Sequence, residues 1–134
     1  MKQDTTSQLF TEIGLLIKSR LQTAIAMPFS QCQTLSFIAS NSSPSMQDIA
    51  QYFKIRAPSA TFLVEELVRG GYVTRHANAK DRRRVELMLT TKGRSTFKKV
   101  EEKRNTILGK LFGSLEDKDR KDLERILEKI ISNV

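Results

Sequence analysis

Apolar residues along this chain keep a helical spacing up to Arg69, switch to alternation between Tyr72 and Leu89, and return to helical spacing from Thr90 onward. A 3.6-residue period cannot sit as a strand, nor a period of two as a helix, so the chain is confined to a mainly α (α+β) fold with one β-hairpin among helices. Leu9, Ile13, Leu16, Ile17, Leu21 and Ala24 predict a first helix over about Thr5–Ala26, ended by Pro28. Ser30 with Gln33 forms a candidate capping box for a second, whose apolar Leu35, Phe37 and Ile38 precede the break at Asn41-Ser42-Ser43-Pro44. Ser45 can cap a third, with Asp48 in its first turn and Ile49, Ala50 and Phe53 facing inward. A fourth runs from about Ala57 to Arg69, with Pro58 in its first turn, Leu63, Val64 and Leu67 on one face, and Gly70-Gly71 at its end.

Tyr72–Arg75 and Arg84–Leu89 read as the two strands, Val85, Leu87 and Leu89 alternating with Glu86 and Met88. Thr90 then opens a long helix carrying Phe97, Val100, Ile107, Leu108 and Leu111. After Gly113 a last one carries Leu123, Ile126, Leu127, Ile130 and Ile131. Three short helices followed by a hairpin is the layout of a winged helix-turn-helix, with a two-stranded wing and helices at both ends.

The 134 residues suit a single domain. Lys and Arg number 23 against 15 Asp and Glu, which points to an anionic partner such as nucleic acid or an acidic membrane surface. No apolar run approaches the ~20 residues that span a bilayer, and Met1 to Thr11 lacks the pattern of a secretory signal, so a cytoplasmic protein with no membrane partner is expected. Cys32 is the only cysteine and His76 the only histidine, which leaves neither a disulfide framework nor a zinc set; no metal and no cofactor is expected. No phosphate-cradling glycine loop or nucleophile–base pairing occurs, and the adjacent Glu65 and Glu66 point apart on a helix, so the chain does not read as an enzyme.

The stretch from Ser45 to Gly93 resembles the MarR family of regulators. The likeness lies in Asp48-Ile49-Ala50, Ile55-Arg56-Ala57-Pro58-Ser59-Ala60-Thr61, Leu63-Val64 with Leu67, Gly71-Tyr72-Val73 leading to Arg75, Asp81-Arg82-Arg83, and Leu89-Thr90-Thr91-Lys92-Gly93. Phe29-Ser30-Gln31-Cys32-Gln33 and the segment Leu115 to Ile131 extend it over nearly the whole chain. The resemblance implies a homodimer joined through about residues 1–28 and 91–134, a reader of double-stranded DNA at about 29–90, and often a small-molecule or redox signal that weakens DNA binding. Steric blocking of polymerase is the family's usual mode, so a repressor at an inverted repeat is expected. The alternative is a winged-helix adaptor or nucleoid-type protein that binds nucleic acid or acidic protein without operator specificity.

Between Tyr52 and Lys92 nine basic residues face four acidic ones, a net +5 of the chain's formal +8. Such clustering neutralises phosphates and releases counterions. Lys80 and Arg82, nearest the wing tip, are expected at the minor groove or phosphates, and Arg75 and Arg84, read as flanking the hairpin base, at phosphates. The resemblance implies that Asp81 orients Arg83, which is as well placed for structure as for contact. Arg56, Ala57, Pro58, Ser59 and Thr61 precede or avoid the buried stripe of the fourth helix and are the candidate base readers, Arg56 through guanine. A Ser is usual in the family where Arg56 stands, and a polar residue where Phe62 stands; Phe62 is expected to pack. Gln33, Ser45 and Gln47, near helix starts, are candidates for positioning phosphates. Cys32 is a candidate redox residue, and His76 beside Arg75 reads as solvated.

Overall fold

The computed structural model describes residues 4–134, so the first three residues of the expected terminal segment lie outside it. Helices α1 (Thr5–Ala24), α2 (Phe29–Ser40), α3 (Met46–Phe53) and α4 (Ala57–Arg69) precede strands β1 (Val73–Ala77) and β2 (Val85–Leu89). Helices α5 (Thr91–Phe112) and α6 (Asp117–Ser132) follow. The strands pair antiparallel from Val73 opposite Leu89 to Ala77 opposite Val85. With α2, α3 and α4 ahead of this hairpin, the fold is the winged helix-turn-helix the order of elements predicts.

Helix α1 stops short of Ala26 because Ile25 is extended. Pro28 then becomes the N-cap of α2, its carbonyl accepting the amides of Gln31 (3.0 Å) and Cys32 (3.1 Å). Ser30 therefore lies inside the helix, and the expected Ser30–Gln33 box does not form; the Ser30 carbonyl instead accepts the Thr34 hydroxyl at 2.8 Å. The Ser45 cap of α3 does form. Its Oγ accepts the Asp48 amide (3.1 Å) while the Asp48 carboxylate accepts the Ser45 amide (2.8 Å), satisfying two amides reciprocally. The chain leaves α3 through Lys54 in the left-handed region (φ 55°), which turns it into α4.

Helix α4 ends in a Schellman motif. Gly71 takes φ 78°, its amide reaches the Val68 carbonyl, and the Tyr72 amide reaches that of Leu67. The Thr90 hydroxyl donates to the Gly71 carbonyl (2.6 Å) and caps α5 by accepting the Gly93 amide (3.0 Å), which pins α5 to the base of the hairpin.

Leu35, Ile49, Val64, Leu67, Val73, Leu87 and Val100 form the center of the core, drawn from α2, α3, α4, both strands and α5. Burying a side chain of this size contributes about 1.5–3 kcal/mol. The terminal helices sit outside this center: α1 buries only Leu21 and α6 buries none of its residues. Among the described residues no helix is long and apolar enough to cross a membrane.

Candidate nucleic-acid interface

The wing tip is built by two side chains. The Asn78 carbonyl Oδ1 accepts the amides of Lys80 (2.8 Å) and Asp81 (3.0 Å), and its Nδ2 donates to Glu86. The Asp81 carboxylate accepts the Arg83 amide at 3.0 Å. These Asx-type turns hold the loop in shape and leave Lys80, Arg82 and Arg83 exposed, none of them in an ion pair among the described residues. Asp81 thus orders Arg83 through its backbone and not, as the resemblance implies, through its guanidinium.

Arg84 departs further from expectation. The hairpin base is the Val73–Leu89 end, and Arg84 lies beside the far pair, Ala77–Val85. Its guanidinium reaches Asp48 (3.1 Å) and Glu86 (4.0 Å). The Leu87 amide also donates to the Pro44 carbonyl (2.9 Å), and Ser45 bridges to Glu86, so the wing is fastened to the start of α3. Arg75 reaches Glu65 of α4 at 3.8 Å. Both arginines expected at phosphates are therefore partly neutralised by carboxylates, in pairs exposed enough that each contributes about 1 kcal/mol or less.

Asp48 is the residue that sequence reading undervalued, having placed it only as a first-turn acid. The Ser45 amide holds its carboxyl below the usual carboxylate range, against a smaller opposing effect of burial, and the Ser45 hydroxyl and Arg84 add to the lowering. Since the folded carboxyl titrates below the unfolded one, its stabilisation is present above the unfolded value and is lost as pH falls through the folded one. Asp48→Ala is expected to cost about 1–2 kcal/mol at pH 7, because it removes the carboxylate half of the capping box and leaves the Ser45 amide unsatisfied while the Ser45 hydroxyl still caps the residue-48 amide. In urea titrations the gap to wild type should narrow below about pH 4; a gap constant down to pH 3 would show that the charge contributes nothing.

Ser45 itself is 3% exposed with both its polar groups engaged, so it caps α3 and is closed to phosphate, contrary to expectation. Gln47, exposed in the first turn of α3, lines one groove with Arg83 and Arg84. Gln33 is placed elsewhere. It lies past the first turn of α2 and lines a cavity of about 550 Å³ between α1, α2, α3 and α5, together with Phe29, Phe37, Tyr52 and Arg104.

On α4, Arg56, Ala57, Pro58, Ser59 and Thr61 are all exposed, as their positions off the apolar stripe predict. Arg56 is the N-cap by backbone only, which leaves its guanidinium free of a capping bond. The Thr61 hydroxyl donates to the Ala57 carbonyl (3.0 Å). Phe62, expected to pack, is 63% exposed. The buried residues Ala60, Val64 and Leu67 define the inner face, and position 62 falls about 200° around the helix from Ala60.

Cys32 is 2% exposed, and burial pushes its thiol up, against a smaller lowering by a backbone hydrogen bond. Both observations disfavor the thiolate that a redox role needs. Iodoacetamide is expected to label Cys32 slowly in the folded protein and rapidly in urea; equal rates would restore the redox reading. The lone His76 has the Thr74 hydroxyl 2.8 Å from its Nε2 and is exposed. Among the described residues no group of three or more His, Cys, Asp or Glu side chains could hold a metal ion.

Residues 27–84 match the model of the MarR family. The chain is 30% identical over 86 residues to the HTH-type transcriptional regulator BilQ of Clostridium symbiosum, covering 64% of this chain and 60% of that one. It is 30% identical over 76 residues to the transcriptional repressor MprA of Escherichia coli K12, covering 57% of this chain and 43% of that one. The chain thus spans less than two thirds of the length of either relative. Among solved structures it superimposes on the Staphylococcus aureus MepR–DNA complex with a TM-score of 0.86 at 22% identity, over 98% of this chain and 100% of that one. For wild-type apo MarR of E. coli the TM-score is 0.80 at 19% identity, over 96% and 98%. At these identities the structural likeness is one of fold.

Proposed function

From the match of residues 27–84 to the MarR family model we propose that the chain is a MarR-family regulator of transcription, one that binds duplex DNA site-specifically, works as a homodimer and represses. The observation that carries this reading is the wing. Its three cations, without an ion-pair partner among the described residues, stand on a loop shaped by Asn78 and Asp81, and the hairpin is joined to the helix-turn-helix by the Leu87–Pro44 backbone bond and the Arg84–Asp48 and Arg75–Glu65 pairs. A positive, preorganised wing beside a helix whose outer face is free suits phosphate contact and groove entry together. A solved protein of the same fold, MepR, is seen in complex with DNA.

In this reading residues 29–90 form the reader, and the terminal segments, about 1–28 and 91–134, join two copies. Leu9, Phe10 and Ile13 of α1 and Ile126, Ile130 and Ile131 of α6 are exposed on amphipathic helices, and an apolar groove of about 440 Å³ runs between the two ends of the chain. A helix such as α6, with no buried residue, gains little from its own chain, and helices of this length are marginal in water without packing. Light scattering at micromolar concentration is expected to give a dimer, and Ile130→Asp to give a monomer; a wild-type monomer overturns the arrangement. The cavity between α1, α2, α3 and α5 lies where the dimer helices meet the reader and suits a small-molecule effector. An effector seated there would weaken DNA binding by the same factor by which DNA weakens effector binding.

Selection of bound duplexes from a random pool, with titration at two salt concentrations, tests the whole. An inverted repeat with half-sites ~10 bp apart, center to center, and a preference of about 10³-fold or more over scrambled DNA is expected. Uniform binding that collapses with salt would favor the adaptor or nucleoid reading, in which the +5 of the reader segment acts by phosphate attraction alone.

A further inference from the structure

The outer face of α4 is unusual for a surface meant to meet a polyanion. Arg56 is the only cation in its first two turns. Beyond it the exposed side chains are Ala57, Pro58, Ser59, Thr61 and Phe62. Thr61 donates its hydroxyl to the Ala57 carbonyl at 3.0 Å, which leaves its methyl to face outward chemistry. Phe62, 63% exposed, stands nearly opposite the buried Ala60–Val64–Leu67 stripe and one turn from Pro58. Farther along, the two carboxylates of the helix are each paired, Glu65 with Arg75 and Glu66 with Arg69. The result is a largely apolar exposed ridge on α4 with Arg56 at its start, in a reader whose other exposed cations, Lys80, Arg82 and Arg83, stand on the wing.

We propose that this ridge, with Phe62 at its center, reads the 5-methyl groups of thymine in the major groove, making Phe62 the specificity-determining residue of the reader. The inference rests on the DNA-binding reading above and assigns the chemistry of its recognition step. A wet, polar groove offers an exposed phenyl ring one apolar partner, the thymine methyl, and Ala, Thr-methyl and Phe contacts are the side-chain contacts that recognise it. Arg56 and the wing cations supply the phosphate attraction that brings a neutral ridge against the bases. Hydrogen-bonded base recognition then falls to Arg56 and Ser59, and the remaining specificity is for thymine over cytosine at the positions Phe62 faces.

The test uses the full chain and the duplex that selection enriches. Deoxyuridine replaces thymidine at one half-site position at a time, symmetrically in both halves, which removes the methyl and leaves every hydrogen-bonding group in place. At one position the wild-type protein is expected to bind the uracil duplex about fifteen-fold more weakly, since each of the two lost methyl contacts is worth about four-fold and the two multiply. Phe62→Ala should bind the thymine duplex more weakly and lose most of this difference, while its urea midpoint stays at the wild-type value because the ring is exposed. Wild-type binding that is indifferent to uracil at every position overturns the inference and leaves site-specific binding standing. Undiminished uracil sensitivity in Phe62→Ala assigns the methyl contact to another residue and also overturns it. Failure to enrich any duplex overturns the DNA-binding reading and the inference with it.

Discussion

Lys80→Ala combined with Arg82→Ala is expected to weaken duplex binding by on the order of 10²–10³-fold at physiological salt, with little change in the stability of the protein. The two side chains stand on the wing tip, exposed and without an ion-pair partner among the described residues, so their removal breaks no internal bond. In a dimer four charges leave the interface. Each neutralised phosphate contributes about 0.9 to the dependence of log K on log salt, so the slope should fall by roughly 3–4. The loss should be nearly equal for the selected repeat and for scrambled DNA, because phosphate and groove-potential contacts position more than they specify. Binding curves at several salt concentrations check all three statements. An unchanged salt slope would remove the wing from the interface. Arg84→Ala is the informative contrast: its guanidinium is held by Asp48 and Glu86, so it should loosen the wing on α3 and lower the urea midpoint slightly, while the salt slope falls by less.

Gly93→Ala is expected to destabilise the protein by about 3 kcal/mol, the upper end of the usual cost of overpacking. A β-carbon at position 93 would lie 2.0 Å from the Tyr72 carbonyl oxygen, 3.0 Å from its carbonyl carbon and 3.4 Å from the Leu89 Cβ. The obstacle is backbone and cannot rotate aside. Relief requires α5 to lift from the base of the hairpin, and that breaks the Thr90 amide to Tyr72 carbonyl bond (3.0 Å) and the Thr90 hydroxyl to Gly71 carbonyl bond (2.6 Å) together. Urea denaturation is the measurement, with Ser95→Ala, exposed on the same helix, expected within about 0.5 kcal/mol of wild type. A Gly93→Ala protein as stable as this control would mean that α5 does not close on the hairpin as described.

Much of the fold was legible because its signals are local. The Ser45 cap with its acid three residues on, the Gly70-Gly71 stop, and the alternation of Val85, Leu87 and Leu89 all act within a few residues, and each appears where the sequence places it. Two local signals misled. Ser30 with Gln33 has the spacing of a capping box, but Pro28 starts the helix earlier and takes that role. Phe62 is expected to pack, yet it is exposed, because the spacing of Ala60, Val64 and Leu67 puts position 62 on the other side of the helix.

What the sequence determined by itself is the set of elements, their order, and the concentration of positive charge between Tyr52 and Lys92, since periodicity, caps and composition are properties of neighboring residues. Tertiary structure alone decided which of those charges are free. Arg84 meets Asp48 across 36 positions and Arg75 meets Glu65 across the α4–β1 turn, pairings no local pattern encodes. It also decided that Ser45 and Cys32 are closed to solvent and that Gly93 must lack a side chain. The physical reason is the same in each case: availability and close approach depend on which distant segment packs against a residue, and that is settled only when the helices and the wing close around one core.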